Sequence, residues 1–257
     1  MDVMNNPFSL EGKTIVVTGA SSGIGRQCAI DCSKMGAKVI AIARSEERLK
    51  ETLSMLVGDG HRFYSYDLSR IEGVSDLVTT FVAENGRIDG VICAAGIEKT
   101  LPFKLLKIDD YKEVLNLNTL SALEFVKNVT NVKNFRQSSG GSIVFIASIT
   151  ATIARIGTAA YSASKGALVS ASKVLAAELA KRNIRVNCIS PGTILTPMMQ
   201  EYLDTLSSEE YQKRIGGFPL GLGKTTDISN ACVFMLSDAS RWITGQNIII
   251  DGGFTIQ

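Results

Sequence analysis

A glycine-rich turn near the N-terminus constrains the fold more than any other feature. A short β-branched run at 13–17 predicts a buried strand and passes directly into Thr18-Gly19-Ala20-Ser21-Ser22-Gly23-Ile24-Gly25. An amphipathic helix is predicted over 24–35, and Gly36 ends it. A strand, a glycine-rich turn and a helix in this order are typical of a βαβ unit whose turn approaches a phosphate.

Each glycine of the turn has its own task in such a unit. One makes the tight turn, one lets the backbone approach a pyrophosphate, and one allows close packing of helix against strand. The helix then offers free N–H groups and its dipole to the phosphates. The spacing Gly-x-x-x-Gly-x-Gly differs from the common Gly-x-Gly-x-x-Gly, and a purely structural turn is the alternative. The predicted pyrophosphate-binding residues are Gly19, Ser21, Ser22, Gly23, Ile24 and Gly25.

The rest of the chain continues to alternate strands and helices. Further strands are predicted at 38–43, 61–66, 88–95, 142–147, 185–189 and 246–250. Helices are predicted at 45–57, 71–83, 108–135, 158–182 and 226–236. This alternation predicts an α/β protein with a Rossmann-type, doubly wound parallel sheet of about seven strands in a three-layer α/β/α arrangement. No linker divides residues 1–257, so we expect one domain, with the less regular segment 196–223 as a mobile substrate lid.

Composition excludes several classes of function. A net charge of +2 gives no basic surface for nucleic acid. No apolar run reaches a membrane span, and the N-terminus lacks the features of a signal peptide, so we expect no membrane partner and a cytoplasmic location. The odd number of cysteines, without a Cys-x-x-Cys pair, favours free thiols. Cys28 and Cys32 could share a metal, but the single histidine, His61, is distant in sequence, and we predict no metal site.

The helix at 158–182 carries a tyrosine and a lysine one turn apart. Tyr161 and Lys165 share a face, because residues four apart on a helix are neighbours. A nearby ammonium lowers a phenol's pKa, so the pair could act as a proton donor or acceptor for a carbonyl or an alcohol. The alternative is that Tyr161 packs in the interior and Lys165 extends to solvent.

The ends of the predicted strands indicate how a dinucleotide is held. Strand 38–43 is followed by Arg44 and Ser45 and lacks the carboxylate that binds a ribose 2′-hydroxyl. We therefore expect NADP(H) to be favoured over NAD(H), although Arg44 could be a solvated loop residue. Asp67 and Leu68 follow the third strand, where an adenine would lie. The small residues Ala94, Ala95 and Gly96 follow the fourth and let a ligand approach the backbone.

These motifs occur in a fixed order that resembles the short-chain dehydrogenase/reductase family. The glycine turn is followed by Ala94-Ala95-Gly96, Asn118, Ser148, Tyr161-x-x-x-Lys165 and Pro191-Gly192, and the resemblance covers about residues 10–253. It implies that Tyr161 is the general acid or base, that Ser148 orients the substrate carbonyl, and that Asn118 holds a water for a proton relay. Lys165 is implied to bind the nicotinamide ribose and to depress the pKa of Tyr161.

The resemblance also assigns the remaining cofactor contacts. Arg44 and Ser45 would meet a 2′-phosphate, and Asp67 and Leu68 the adenine. The nicotinamide end is assigned to Pro191, Gly192, Ile194 and Thr196. Two positions depart from the family pattern. Cys93 and Ala94 replace the common Asn-Asn before Ala-Gly, and Ser22 replaces a basic residue, which leaves Arg26 as the other candidate for a phosphate.

With Ile243-Thr244-Gly245-Gln246 and Asp251-Gly252-Gly253 near its C-terminus, the chain looks most like the 3-oxoacyl-carrier-protein reductase branch of the family. Arg182 matches one basic position that meets the acidic carrier, and Ser139 occupies the other, with Arg136 close by. The resemblance implies a homotetramer or homodimer that pairs the helices around Phe125 and Ala171. Alternatively, the small residues of these helices pack on the protein's own sheet.

The predicted function is therefore the transfer of a hydride between NADP(H) and a ketone or secondary alcohol. A small-molecule carbonyl or an acyl thioester is the expected substrate. The apolar character of the surrounding segments favours an apolar or acyl substrate, with Lys99 and Arg155 as basic exceptions. A sugar, polyol or steroid dehydrogenase is the alternative enzyme. A redox-sensing nucleotide-binding module is the alternative of another class, and it is disfavoured because all four catalytic side chains are present.

Overall fold

The computed structural model describes residues 6–136 and 140–257. Its strands are β1 Thr14–Thr18, β2 Lys38–Ala43, β3 Arg62–Ser65, β4 Gly90–Cys93, β5 Gly141–Ile146, β6 Ile184–Pro191, β7 Ile194–Leu195, β8 Gly223–Lys224 and β9 Asn247–Ile250. Its α-helices are α1 Gly23–Lys34, α2 Glu46–Ser54, α3 Val74–Asn85, α4 Ile108–Leu115, α5 Ser121–Val129, α6 Ala159–Leu179, α7 Pro197–Asp204, α8 Ser208–Ile215 and α9 Thr225–Leu236.

Seven strands form one parallel sheet in the order β3-β2-β1-β4-β5-β6-β9. The predicted doubly wound α/β sheet is confirmed. The strand order reverses between β1 and β4. Open α/β sheets form a ligand-binding crevice at such a reversal, outside the carboxyl ends of the strands. This topology brings the ends of all the motif-bearing strands to one edge of the sheet.

Two hydrophobic cores cover the two faces of the sheet. One lies under α3, α5 and α6 and contains Phe81, Phe125 and Phe145. The other lies under α1, α2 and α9 and contains Ile15, Leu49 and Ile228. Burying both faces explains why the strands are runs of Val, Ile and Ala rather than alternating patterns. In residues 6–136 and 140–257, no helix combines the length and apolar character needed to cross a bilayer.

The predicted helix over 108–135 is wrong in its continuity and in its end. A π-helical turn, Asn116–Leu120, separates α4 from α5, and α5 ends at Val129. Phe135 instead forms a bridge with Ile88 beside the sheet. A π turn inserts an extra residue into the helical repeat and is common at functional sites. Here it contains Asn118, one of the predicted catalytic residues.

The segment 196–223 is more regular than its sequence indicates. It contains α7 and α8. The strands at its two ends, β7 and β8, pair with each other as a short parallel sheet. Phe218 is buried and stacks on Phe254 at 4.6 Å between ring centroids. The single domain and the mobility of this segment as a lid stay predictions.

Candidate active site

The turns that follow β1 and β4 are held together at the bottom of the crevice. Thr18 Oγ1 accepts hydrogen bonds from the N–H groups of Ala94 at 3.2 Å and Ala95 at 3.3 Å. Gly19 has φ +69°, and a Cβ there would lie 2.8 Å from Ala95 N. A side chain at position 19 would therefore push against the backbone of the turn after β4, which explains the glycine.

The start of α1 is available to an anion. Ser22 occupies the N-cap position without a capping side-chain bond, and the first turn has no acidic residue. Helix N-termini bind phosphates through such uncapped N–H groups and the helix dipole. The residues present therefore fit the pyrophosphate of a dinucleotide. A Cβ on Gly25 would overlap the carbonyl oxygen of Gly19, so glycine is required there by packing.

We expect Gly25→Ala to damage the cofactor turn. The turn must shift to admit the methyl group, so we predict a loss of about 2–3 kcal/mol in unfolding free energy and a cofactor KM at least tenfold higher. Thermal unfolding and initial rates measure the two effects. Gly166→Ala on α6 is the matched control, because its Cβ meets nothing within 4 Å, and we expect it to stabilise the protein slightly. Equal behaviour of the two variants would contradict the packing role.

Arg26, the second candidate for a phosphate contact, instead hydrogen-bonds the backbone of the glycine turn. Its guanidinium donates to Ser21 O at 2.6 Å, Glu51 Oε2 at 3.0 Å and Thr52 Oγ1 at 3.1 Å. These bonds tie α1 to α2 and fix the turn's backbone. Arg26 is therefore occupied by protein partners.

The carboxyl ends of β2 and β3 place one cation beside one carboxylate. Arg44 is exposed directly after β2, and Ser45 Oγ caps α2 by accepting from Arg48 N at 3.3 Å. Asp67 Oδ1 accepts hydrogen bonds from Ser69 N and Ser69 Oγ. Partial burial would raise the pKa of Asp67, but these bonds and the positive charge of the nearby Arg44 lower it overall. Leu68 is buried beneath them. The four predicted adenosine-side residues therefore lie at neighbouring strand ends.

The Pro191–Thr196 segment closes the crevice from the other side. Pro191 ends β6, and Gly192 N donates to Ile250 O at 2.9 Å. Ile194 is buried in β7. A Cβ on Gly23 would lie 3.2 Å from the Thr196 methyl group, so this segment reaches back to the glycine turn. The residues predicted for the two ends of one cofactor therefore converge on one crevice.

The tyrosine and lysine of α6 lie on one face, as their spacing predicts. Lys165 Nζ is 5.6 Å from the centroid of the Tyr161 ring. Lys165 is only 5% exposed, and its ammonium donates to Ile146 O at 2.7 Å. Burial lowers the pKa of Lys165 to about 8. Lys165 therefore does not extend to solvent, as the alternative interpretation expected.

The pKa of Tyr161 differs from the expectation. Burial, and secondarily the charge of Glu98, raise it to about 12, while a hydrogen bond with Ser148 and the charge of Arg155 act in the opposite direction. The lysine amine contacts a backbone carbonyl, and it is not directed at the phenol oxygen. Desolvation by the surrounding chain therefore exceeds any lowering by the neighbouring ammonium.

Ser148 is oriented by a residue that the sequence did not single out. Thr150 donates to Ser148 Oγ twice, from its backbone N–H at 3.2 Å and from its hydroxyl at 3.1 Å. With these two bonds accepted, the hydrogen of Ser148 is left to be donated to another group. A Ser-x-Thr sequence after a strand is the local signal for such a turn.

Asn118 joins the turn after β4 to α6. Its Oδ1 accepts from Ile97 N at 2.8 Å, and its Nδ2 donates to Ile97 O at 2.9 Å and to Ser164 Oγ at 3.0 Å. Ser164 Oγ in turn donates to Tyr161 O at 2.7 Å. The side chain of Asn118 is thus bonded to protein groups, and a relay water would need its backbone instead. A Cβ on Gly96 would lie 3.0 Å from Asn118 Oδ1 and 3.4 Å from Lys165 Nζ.

The geometry thus assembles a phenol, a serine hydroxyl and an ammonium at the mouth of a dinucleotide crevice. The sequence profile described as enoyl-(acyl carrier protein) reductase matches residues 19–255. The chain belongs to the short-chain dehydrogenase/reductase family. Within this family it is an oxidoreductase of CH–OH or carbonyl groups that binds a nicotinamide cofactor.

Three family members illustrate the range of its relatives. D-threitol dehydrogenase of Mycolicibacterium smegmatis is 36% identical over 97% of this chain and 95% of the relative. The 3-oxoacyl-[acyl-carrier-protein] reductase of Chlamydia pneumoniae is 34% identical over 96% of this chain and 99% of the relative. A crystal structure from Beutenbergia cavernae, described as an NAD(P)-dependent gluconate 5-dehydrogenase with NADP bound at low occupancy, is 31% identical, with a TM-score of 0.88 over 98% of this chain and 100% of that one.

Proposed function

We propose that this short-chain dehydrogenase/reductase interconverts a ketone and a secondary alcohol with NADP(H). The observation that carries the proposal is the convergence of three groups at the carboxyl end of β5. Ser148 follows this strand, Lys165 donates to Ile146 O at its end, and Lys165 Nζ lies 5.6 Å from the Tyr161 ring centroid. Two hydroxyl donors at one point form a site for a carbonyl oxygen that gains negative charge. When bound, the nicotinamide supplies or accepts the hydride.

The proton is assigned to Tyr161. Its raised pKa, about 12, keeps the phenol protonated at neutral pH, so it is a proton donor to the developing alkoxide. For oxidation the same group must first lose its proton. Lys165 has two N–H groups left after its bond to Ile146 O, and we assign them to the ribose hydroxyls. Asn118 holds Tyr161 in place through Ser164.

The direct test is a panel of ketones and secondary alcohols with NADPH and NADP⁺. We expect initial rates, followed by the nicotinamide absorbance, to reveal reduction at neutral pH and faster oxidation at alkaline pH. Turnover of the panel that is absent with NADPH but present with NADH would contradict the cofactor assignment. Absence of turnover with both cofactors would contradict the proposed reaction.

NADP(H) preference is assigned to Arg44. Its side chain is exposed at the end of β2, and no ion pair to its guanidinium is present in the described ranges. We predict that Arg44→Ala raises the KM for NADPH about 10- to 100-fold, because a charge-assisted hydrogen bond to phosphate is lost, and changes the KM for NADH little. Arg62→Ala, at the amino end of β3, is the control. An unchanged ratio of the KM values for NADPH and NADH in Arg44→Ala would contradict the assignment.

The relatives described above include a dehydrogenase of a polyol, one of gluconate and a reductase of 3-oxoacyl thioesters. The two arginines considered as contacts for an acidic carrier protein are bonded to groups of this chain. Arg182 donates to Thr130 O at 2.6 Å, and Arg136 forms an ion pair with Asp89 at 2.9 Å. Ser139 lies outside the described residues. The contacts of the two arginines do not favour the carrier-bound substrate.

We further propose a homodimer or homotetramer that works in the cytoplasm. Leu120, Val132 and Val174 are each more than half exposed along one groove between α5 and α6, which supports an interface between copies. Light scattering after gel filtration measures the assembly. All five cysteines are free and buried, which suits a reducing compartment.

A further inference from the structure

Two opposite charges that are not in the catalytic set lie on the loops after β4 and before α6, and the first of these loops approaches Lys165 at Gly96. Glu98 lies two residues after Gly96, and Arg155 lies six residues before Tyr161. Their side chains are about one-third exposed, and Arg155 Nη1 lies 3.4 Å from Glu98 Oε1. Both act electrostatically on Tyr161, in opposite directions. We call these two residues the Glu98–Arg155 pair.

The backbone fixes the position of the Glu98–Arg155 pair. Leu101 N donates to Gly157 O at 2.9 Å, which joins the loop after β4 to the loop before α6. Gly157 has φ +85°, and a Cβ there would lie 3.1 Å from the Thr100 methyl group. The neighbouring Lys99 turns away, because its ammonium pairs with Asp110 at 2.6 Å and Glu113 at 2.9 Å. Of the two basic residues noted in the sequence, Arg155 and not Lys99 pairs with Glu98.

The Glu98–Arg155 pair retains hydrogen-bonding capacity. Its separation is longer than the roughly 2.7–2.9 Å of a strong charge-assisted bond. Glu98 Oε1 also accepts from Thr100 Oγ1 at 3.1 Å, whereas within residues 6–136 and 140–257 no hydrogen bond reaches Glu98 Oε2. Arg155 likewise keeps further N–H donors in that part of the chain. The pair therefore presents a carboxylate acceptor and guanidinium donors together, both reachable from solvent.

A hydroxyl group uses both partners, because it donates to a carboxylate and accepts from a guanidinium at the same time. An acyl chain in the same place would displace water from both charges and return no hydrogen bond. An anionic substrate would be attracted by the positive charge of Arg155 and repelled by the negative charge of Glu98 to a similar extent. The chemistry of the pair thus favours a neutral group that is rich in hydroxyls.

We propose that Glu98 and Arg155 select a polyhydroxylated substrate, a polyol or the corresponding keto-sugar, by binding hydroxyl groups next to the reacting carbon. The inference rests on the proposed function for the reaction itself. It adds the substrate class and the two residues that determine it.

The test compares two alcohols of equal carbon number, xylitol and 2-pentanol, with NADP⁺. We expect the wild-type kcat/KM to be higher for xylitol. Glu98→Gln and Arg155→Gln each remove one charge, and each is expected to lower the ratio of the two kcat/KM values about 10- to 100-fold. Lys99→Gln is the matched control on the same loop, and its ratio is expected to stay at the wild-type value. Circular dichroism checks that each variant is folded.

Two results would overturn the inference while the proposed function stands. One is a wild-type protein that oxidises 2-pentanol at least as well as xylitol. The other is an unchanged ratio in both folded variants. A wild-type protein that turns over no alcohol and no ketone overturns the proposed function instead. The inference is then judged by calorimetric binding of xylitol to the NADP⁺-loaded protein: binding that weakens in both variants supports it, and no binding overturns it.

Discussion

Tyr161→Phe is expected to lower kcat for ketone reduction about 10²- to 10⁴-fold, because the variant loses the proton donor and keeps the ring. Because only one hydroxyl is removed, we expect the variant to fold. NADPH binding, measured by fluorescence, is expected to change little. Tyr64→Phe is a matched control: burial also raises the pKa of Tyr64 to about 12, and its hydroxyl donates to Glu84, away from the site. A folded Tyr161→Phe protein with more than a tenth of wild-type kcat would exclude Tyr161 as the general acid.

The pH dependence follows from the same group. Because the pKa of Tyr161 is about 12, reduction by the protonated phenol should be nearly constant across neutral pH. Oxidation needs the phenolate, whose fraction rises about tenfold per pH unit below that pKa. The charged groups to be considered around this phenol are Lys165 on its own helix, with its Nζ 5.6 Å from the ring centroid, and the Glu98–Arg155 pair on the adjoining loops. A rate profile for oxidation that levels off near pH 7 would contradict the raised pKa.

Lys165→Met is expected to abolish most activity and to stabilise the folded protein. Burial lowers the pKa of Lys165 from its ordinary 10.5 to about 8, which at pH 7 corresponds to a penalty of about 3 kcal/mol for holding the charged form inside. Loss of the bond to Ile146 O offsets part of this, so we expect a net gain of about 1–2 kcal/mol. We expect kcat to fall and the cofactor KM to rise, each about tenfold or more.

The pH dependence of the unfolding free energy tests whether the charged Lys165 destabilises the fold. Between pH 8 and 10.5 the unfolded chain binds more protons at this residue than the folded protein does, so wild-type stability should rise with pH. The variant lacks the group, and the difference between the two proteins should narrow through that window. Urea unfolding at several pH values measures it. Lys173→Met, exposed on the same helix, is the control, and a destabilised Lys165→Met protein would contradict the prediction.

The sequence predicts well what local periodicity determines. The four-residue spacing of Tyr161 and Lys165 fixes a shared face on any helix, and the alternation of apolar strands with amphipathic helices fixes the order of layers. Runs such as Thr14–Thr18 are buried on both faces, which is why they predict a parallel sheet. These features need no knowledge of distant partners.

What the sequence missed depends on contacts between distant segments. The bonds of Asn118 to Ile97 and Ser164 follow from a π turn that helical periodicity does not indicate. The role of Arg26 as a brace requires the position of α2. The pKa of Tyr161 depends on how much chain covers the phenol, and a neighbouring lysine in the sequence does not reveal that desolvation.

The burial of every cysteine also makes the protein convenient to label. All five thiols lie inside, and Cys28, for example, contacts Cys232 between α1 and α9. Burial raises the pKa of Cys93 to about 12, which keeps its thiol unreactive toward alkylating reagents. A single cysteine introduced at the exposed Gln200 on α7 would therefore be the dominant target of a maleimide dye. Fluorescence from that dye would report directly whether the segment 196–223 moves when cofactor and substrate are added.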